Sequence, residues 1–177
     1  MNEKLLSIAR EVGFEYTAPL DVSTLELKQE VRDMCADNTC GQYGKRWSCP
    51  PGCGTLDECR ELLTGHTHGI LVQSVGDIED SYDFEAMMEI EAEHKARFAQ
   101  MHQILREQNE DVLALGAGCC MVCPTCTYPD APCRFPEQKM SSMEALGMLV
   151  VEVCKANGLP YFYGENTIAY TSCFLLK

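Results

Sequence analysis

Cysteines crowd into two short segments of this chain. Five of them lie within fifteen positions, from Cys119 to Cys133, and five more lie between Cys35 and Cys59, so that ten of the 12 cysteines fall in two blocks. A chain of 177 residues can bury roughly 70% of its unfolded surface and needs no cross-link or metal merely to form a core. The two blocks must therefore serve disulfide bonding, zinc binding, iron–sulfur binding or thiol catalysis.

The first residues and the hydropathy pattern narrow these alternatives. The opening MNEKLLSIAREVGF carries charges where a secretory signal needs an apolar stretch. No run approaches the ~18 apolar residues of a membrane span. We therefore expect a soluble, cytoplasmic protein without a membrane partner. Thiols stay reduced in that compartment, which favours metal binding or catalysis over disulfides.

The net charge argues against a nucleic-acid partner. The chain has 27 acidic and 14 basic residues, which gives a net charge of −13. Such a surface repels nucleic acid and anionic membranes at long range. The expected partner is instead a redox protein, which could be a basic one docking on the acidic run between Asp77 and Glu110.

The hydrophobic pattern predicts an α/β (or α+β) fold, in which helices pack a small mixed sheet and the two cysteine blocks form metal-binding loops. No linker or repeat interrupts the chain, so we expect a single domain over residues 1–177. The strand–helix–strand unit over residues 67–117 should be parallel and right-handed. The predicted helices span residues 2–12, 55–63, 83–108 and 141–157, and the predicted strands span 67–75, 111–117 and 167–176.

Some side chains receive a structural assignment. Phe84, Met87, Met88, Phe98, Met101 and Leu105 are expected to face inward from the long helix. His94 and His102 lie on the same helix and are expected in solvent. Cys154 and Cys173 fall in apolar patterns and are expected to be core thiols.

The second block has the spacing of an iron–sulfur site. Cys120, Cys123 and Cys126 form C-x2-C-x2-C, which lets one loop reach three corners of a four-iron cluster, and Cys133 can supply the fourth thiolate. A structural zinc site more often uses two C-x2–4-C pairs separated by a longer stretch. The spacing favours a [4Fe–4S] cluster and leaves zinc as the alternative.

Several stretches together resemble a known family. CGQYGKRWSCPP (residues 40–51), CRFP (133–136) and SMEA (142–145) resemble a prokaryotic, cysteine-rich family labelled "predicted metal-binding protein". The resemblance implies metal binding by these cysteines and no established reaction. It further implies two sites with four cysteine ligands each. The first site uses Cys35, Cys40, Cys49 and Cys59, and the second uses Cys120, Cys123, Cys126 and Cys133. Cys53 and Cys119 remain as additional candidate ligands.

Three functions stay open from the sequence. The first is an iron–sulfur protein with two [4Fe–4S] clusters acting in electron transfer. The second is a cluster-dependent reductase or cofactor-activating enzyme, and the third is a zinc-stabilised protein-binding adaptor. We expect basic residues, namely Lys45, Arg46, Arg60 and Arg134, to offset cluster charge, and we expect aromatic residues, namely Tyr43, Trp47, Tyr128 and Phe135, to shield the thiols from water.

Overall fold

The computed structural model describes residues 2–108 and 111–177, and it contains a five-stranded mixed sheet with helices on both faces. The strand order is β1-β2-β5-β3-β4. The strands are β1 (Tyr16–Asp21), β2 (His68–Asp77), β3 (Val112–Gly116), β4 (Ser141–Ser142) and β5 (Thr167–Leu176). The helices are α1 (Asn2–Glu11), α2 (Gln29–Ala36), α3 (Leu56–Leu63), α4 (Phe84–Glu107), α5 (Met143–Leu146) and α6 (Val150–Ala156), with a 3-10 turn at Val22–Thr24.

The long strand β5 organises the sheet. It pairs antiparallel with β2 on one side and with β3 on the other, while β3 and the short β4 are parallel. Strands β2 and β3 are therefore parallel to each other, as the strand–helix–strand pattern predicts, but β5 lies between them. The predicted mixed sheet packed by helices is confirmed.

Two hydrophobic clusters cover the two faces of the sheet. One joins α1 and α4 to the sheet through residues such as Ile8, Phe98 and Phe174. The other joins α3, α5 and α6 through residues such as Cys59, Leu146 and Val153. Alternate residues of β2 and β5 enter opposite clusters, as the two-residue period of a strand requires. The predicted core thiols Cys154 and Cys173 are both completely buried.

The predicted helix over residues 141–157 is wrong in one respect, because it is two helices. Ser142 caps α5 by accepting a hydrogen bond from the amide of Ala145, and α5 ends at Gly147 with φ of +101°. The amide of Lys28 donates to the carbonyl of Gly147 at 2.7 Å. A side chain at this position would meet the Lys28 carbonyl oxygen at 3.1 Å, so glycine is required where the chain turns.

The predicted environment of α4 also needs correction. Phe84 and Met88 are 62% and 68% exposed, whereas His94 is completely buried and bonded rather than solvated. These two apolar side chains in the first turns of α4 therefore lie outside the core. Farther along, Phe98, Met101 and Leu105 are buried as predicted.

Helix α3 begins with the predicted capping box. The Thr55 hydroxyl accepts from the amide of Glu58, and the Glu58 carboxylate accepts from the amide of Thr55 at 2.7 Å. Both bonds satisfy amides that a helix start leaves unpaired. This capping holds Cys59 in the first turns of α3, directly after the first cysteine block.

No helix within residues 2–108 and 111–177 has the length and apolar character to cross a bilayer.

Candidate metal centre

Two loops between regular elements carry most of the thiols. We call residues 37–55, between α2 and α3, the first cysteine loop, and residues 117–140, between β3 and β4, the second cysteine loop. Cys35 precedes the first loop on α2, and Cys59 follows it on α3. A rigid sheet and its helices therefore hold the ends of both loops.

The second cysteine loop folds around one small cavity. All four thiols that the sequence assigns to the second site line this cavity: Cys120, Cys123, Cys126 and Cys133. Arg46, Trp47, Phe135 and Lys139 complete its walls. The structure thus brings together the four thiols that the spacing groups, with Arg46, Trp47 and Phe135, which the sequence analysis names, and with Lys139, which it does not.

Residues of the first loop form part of this cavity. Arg46 donates from Nη1 to the carbonyl of Cys120 at 2.8 Å, and the amide of Cys120 donates to the buried Ser48 hydroxyl at 3.3 Å. Trp47 donates from its indole nitrogen to the carbonyl of Ala131 at 3.0 Å. These bonds join the two loops into one unit, so the second site depends on both.

A glycine allows the closest approach of the two loops. A Cβ atom on Gly52 would lie 2.5 Å from the carbonyl oxygen of Arg46 and 2.9 Å from the ring of Tyr128. The Tyr128 ring in turn contacts Trp47 edge to face, with centroids 4.8 Å apart. Only a residue without a side chain fits between these groups.

Backbone amides surround the sulfur of Cys126. Burial acts to raise the pKa of this thiol, but hydrogen bonds from the amides of Tyr128, Trp47 and Thr127, with the nearby charge of Arg46, outweigh burial and lower the pKa. Amide donors stabilise the thiolate, which is the form that binds metals. The Cys126 thiol therefore ionises more readily than an ordinary cysteine thiol.

The thiols of the first site form a looser group that includes one residue of the second loop. Burial raises the pKa of Cys35, and the neighbouring thiol of Cys40 adds to the effect. Burial also raises the pKa of Cys49 against the opposing Ser48 hydroxyl, and the thiols of Cys119 and Cys40 contribute further. Electrostatic effects thus link Cys40 to both Cys35 and Cys49, and link Cys49 to Cys119.

Cys53 and Cys59 form a pair that shares one arginine. Arg32 Nη1 lies 3.6 Å from the sulfur of Cys53 and 3.5 Å from the sulfur of Cys59. A hydrogen bond from Cys53, assisted by Arg32 against the effect of burial, lowers the pKa of Cys59 to about 7, and the same hydrogen bond raises the pKa of Cys53. Cys59, the more buried of the two, is therefore the thiol that ionises first.

Arg32 is the main residue that the sequence interpretation missed. It donates to the carbonyls of Ala145 at 2.8 Å and Gly54 at 2.6 Å, so it ties α2 to α5 and to the first loop. The available signal was its position three residues before Cys35, which places both on one face of a helix. The helices predicted from the sequence do not include one over residues 29–36, where α2 lies.

The other predicted basic residues have varied positions. Arg134 donates to the carbonyl of Thr125 at 2.8 Å and so stiffens the second loop. Arg60 pairs with Asp57 at 2.6 Å and faces solvent rather than the thiols. Lys139, which the sequence interpretation did not name, lines the second cavity. Within the described residues, no three Cys, His, Asp or Glu side chains are already arranged around a common single-ion position.

Comparison with known proteins gives one match. Residues 18–176, nearly the whole chain, match the family described as "Predicted metal-binding protein (DUF2284)". No curated protein matches the chain, and neither does any solved structure. The match includes both cysteine loops and every strand of the sheet except the first two residues of β1. The chain belongs to this predicted metal-binding family.

Proposed function

We propose that this protein binds two [4Fe–4S] clusters and acts in electron transfer. The observation that carries the proposal is the second cavity, where the C-x2-C-x2-C thiols and Cys133 line one space. The first site would use Cys35, Cys40, Cys49 and Cys59. Four-iron clusters take thiolate ligands from such loops and supply one-electron storage.

The charges around the thiols support anionic centres. An all-thiolate four-iron cluster carries an overall charge of about −2 in its oxidised form. Arg46 and Lys139 line the second cavity, and Arg32 lies against Cys59 of the first site and against the neighbouring Cys53. In a chain of net charge −13, basic residues gathered beside thiols favour the thiolate form.

Other residues of the second cavity fit the same role. The amides that bond the sulfur of Cys126 are donors of the kind that stabilise and tune clusters. Trp47 and Phe135 cover the cavity with apolar rings, which limit the access of water and influence the potential.

The position of Cys119 supports electron exchange between the sites. It precedes Cys120 of the second site in the chain, and its thiol influences the ionisation of Cys49 in the first site. This influence supports our proposal that the two sites form a relay for a redox partner protein. The cytoplasmic location stays a prediction.

Metal analysis tests the proposal directly. The protein is purified without oxygen, and iron, zinc and acid-labile sulfide are measured together with visible and electron paramagnetic resonance spectra. We expect about eight irons with matching sulfide, and a broad absorption that bleaches on reduction. A colourless protein with one or two zinc ions would refute the iron–sulfur proposal and favour the zinc-stabilised adaptor.

Single substitutions test the second site. Cys123→Ser should remove about four of the eight irons, because it deletes the central ligand of the triplet. Thr125 lies between two proposed ligands in the same loop, so Thr125→Ala is the control and should keep the full iron content. Equal iron in both variants would contradict the assignment of Cys123.

Substitutions at three thiols identify the fourth ligand of the first site. Cys59→Ser should lose iron, because the low pKa of Cys59 and its contact with Arg32 favour a thiolate there. Cys53→Ser and Cys119→Ser should retain iron. Loss of iron in Cys119→Ser with retention in Cys59→Ser would assign the ligand to the second loop instead.

A cluster-dependent reductase is the second candidate. The observation that favours it is the surplus of thiols, since the two blocks hold ten cysteines and two clusters need about eight. Turnover of a small electron acceptor that is lost in Cys53→Ser or Cys119→Ser at full iron content would support the reductase. Full activity in both variants would exclude a catalytic role for these thiols.

A further inference from the structure

A groove lies between α4 and the second cysteine loop. Its volume is about 520 Å³, within the ~300–1,000 Å³ of typical small-molecule sites. One wall is the C-terminal half of α4, and the other is formed by Val122, Gln138 and Met140. None of the proposed cluster ligands lines it.

The groove and the second cysteine cavity share a wall. Val122, between Cys120 and Cys123 in the chain, lines both spaces. The consecutive residues Lys139 and Met140 face the cysteine cavity and the groove, respectively. A molecule in the groove would therefore be separated from the thiols by about one side chain.

The walls of the groove are apolar and amide-rich. Ala99, Val122 and Met140 supply apolar surface, and the sulfur of methionine packs well against aromatic rings. Gln103 and Gln138 present amide groups, and each amide both donates and accepts hydrogen bonds. This combination suits a flat molecule with apolar faces and a polar edge.

Both charged side chains of the groove already bond to other groups of the protein, and Arg106 has an ion-pair partner. Arg106 Nη2 lies 2.5 Å from the Glu137 carboxylate, and its Nη1 donates to the Glu137 carbonyl at 3.3 Å. Glu107 accepts from the amide of Gln103 at 2.8 Å. The paired arginine gives no free cation for a phosphate or carboxylate, so a neutral ligand fits best.

His102 supplies a further polar group on the α4 wall. Burial and the charge of Arg106 lower its pKa, so the imidazole is neutral near pH 7. The neutral ring offers one donor and one acceptor. Phe98 and Phe174 lie behind it, with ring centroids 6.4 and 6.5 Å away.

We propose that this groove binds a neutral, planar heteroaromatic ring with an amide- or imide-type edge, of the isoalloxazine or pteridine kind. Ala99 on the α4 wall contacts one face of the ring, Val122 and Met140 on the opposite wall contact the other face, and Gln103, Gln138 and His102 bond its edge. Binding at the groove requires neither cluster, so it stands or fails separately from the electron-transfer proposal.

Equilibrium dialysis with riboflavin and flavin mononucleotide tests the proposal. The full chain is used, purified without oxygen, and its iron is measured beside ligand binding. We expect saturable binding of riboflavin at one site per chain. Flavin mononucleotide should bind more weakly, because its phosphate meets no free cation and approaches an acidic protein.

Two alanines of α4 provide matched variants. Ala99 lines the groove and Ala96 does not, and both are exposed. Ala99→Trp fills the groove and should weaken riboflavin binding by about tenfold or more, whereas Ala96→Trp should leave it unchanged. Gln138→Ala removes an exposed amide and should weaken binding by about fivefold, the loss of one hydrogen bond.

Three results would overturn the proposal. Weaker binding of riboflavin than of flavin mononucleotide would mean that the site recognises a phosphate. The absence of binding by either flavin, or equal binding by both tryptophan variants, would also contradict it. Normal iron content in any of these cases would leave the cluster proposal intact, so the two failures are distinguishable.

Discussion

His94 lies between α4 and the sheet as an imidazole with a hydroxyl on each side. Ser74 Oγ is 3.0 Å from Nδ1, and Ser172 Oγ is 2.6 Å from Nε2. Burial, with the charges of Arg97 and Lys95, lowers the pKa of His94 to about 4. The folded protein therefore keeps this ring neutral at pH values where the unfolded chain protonates it.

This depressed pKa predicts how stability depends on pH. The difference between the folded and unfolded pKa of His94 contributes about 3 kcal/mol to the free energy of unfolding. This contribution is present above the unfolded pKa of about 6.5 and is lost as the pH falls through the folded pKa of about 4. Urea unfolding across this range should show the loss in the native protein. His94→Gln should lack this component, whereas His66→Asn should retain it, and equal pH profiles for all three proteins would contradict the prediction.

Arg32 makes a second residue-scale prediction. Arg32→Met removes bonds to the carbonyls of Ala145 and Gly54 and should lower the free energy of unfolding by about 2–3 kcal/mol, because partly buried acceptors lose a charged donor. Arg60→Met removes an exposed ion pair with Asp57 and should cost less than about 1 kcal/mol. Chemical denaturation measures both, and equal losses would show that Arg32 is not a structural tie.

At the scale of elements, the contact between the two cysteine loops depends on Gly52. Gly52→Ala places a methyl group against the carbonyl of Arg46 and the ring of Tyr128. Neither the backbone of Arg46 nor the ring of Tyr128 can move away without separating the two loops. Overpacking of this kind costs about 1–3 kcal/mol. The variant should lose metal from the second site, as measured by metal content per chain.

Gly116→Ala is the matched control for this substitution. A Cβ atom there would meet its nearest neighbour, the Phe98 ring, at 3.7 Å, which is an ordinary contact. It should keep the native metal content. Loss of metal from both variants, or from neither, would mean that the approach at Gly52 does not hold the loops together.

The elements that the sequence predicted well are those with strong periodicity or strong caps. Strands β2, β3 and β5 and helices α1, α3 and α4 all lie close to their expected bounds. Strand β1 was missed because it is a short edge strand that contains Pro19, a residue that edge strands tolerate and that weakens the strand signal. Helix α2 was missed because Lys28 gives it no side-chain cap.

In the candidate site, the sequence predicted the features that depend on local spacing and not those that depend on tertiary packing. Regular spacing identified Cys120, Cys123 and Cys126 as a group, and the fold places them around one cavity. Spacing could not show that Arg46 and Trp47 of the first loop complete that cavity. Nor could it show that the thiol of Cys119 influences the pKa of Cys49, since both effects depend on how two distant loops pack.

At the scale of the whole molecule, the core and the thiol loops are largely separate. The two hydrophobic clusters consist of side chains from the sheet and its helices, and of the proposed ligands only Cys59 belongs to either cluster. A chain of 177 residues can fold on such a core without cross-links or metal. Metal bound by the loops should therefore order the loops more than the sheet.

Removal of metal tests this separation. Protein treated with chelator should keep its circular dichroism spectrum, because the helices and the sheet persist. Limited proteolysis should cut this protein first within residues 37–55 and 117–140, because metal no longer holds the loops together. Cys173→Ala leaves the loops untouched and removes a completely buried core thiol, so it should lower the melting temperature without exposing these segments. Global loss of secondary structure on chelation would instead mean that metal binding and folding are one event, as in small metal-dependent domains. Cys59 would then link the first site to the core more tightly than the separate hydrophobic clusters indicate.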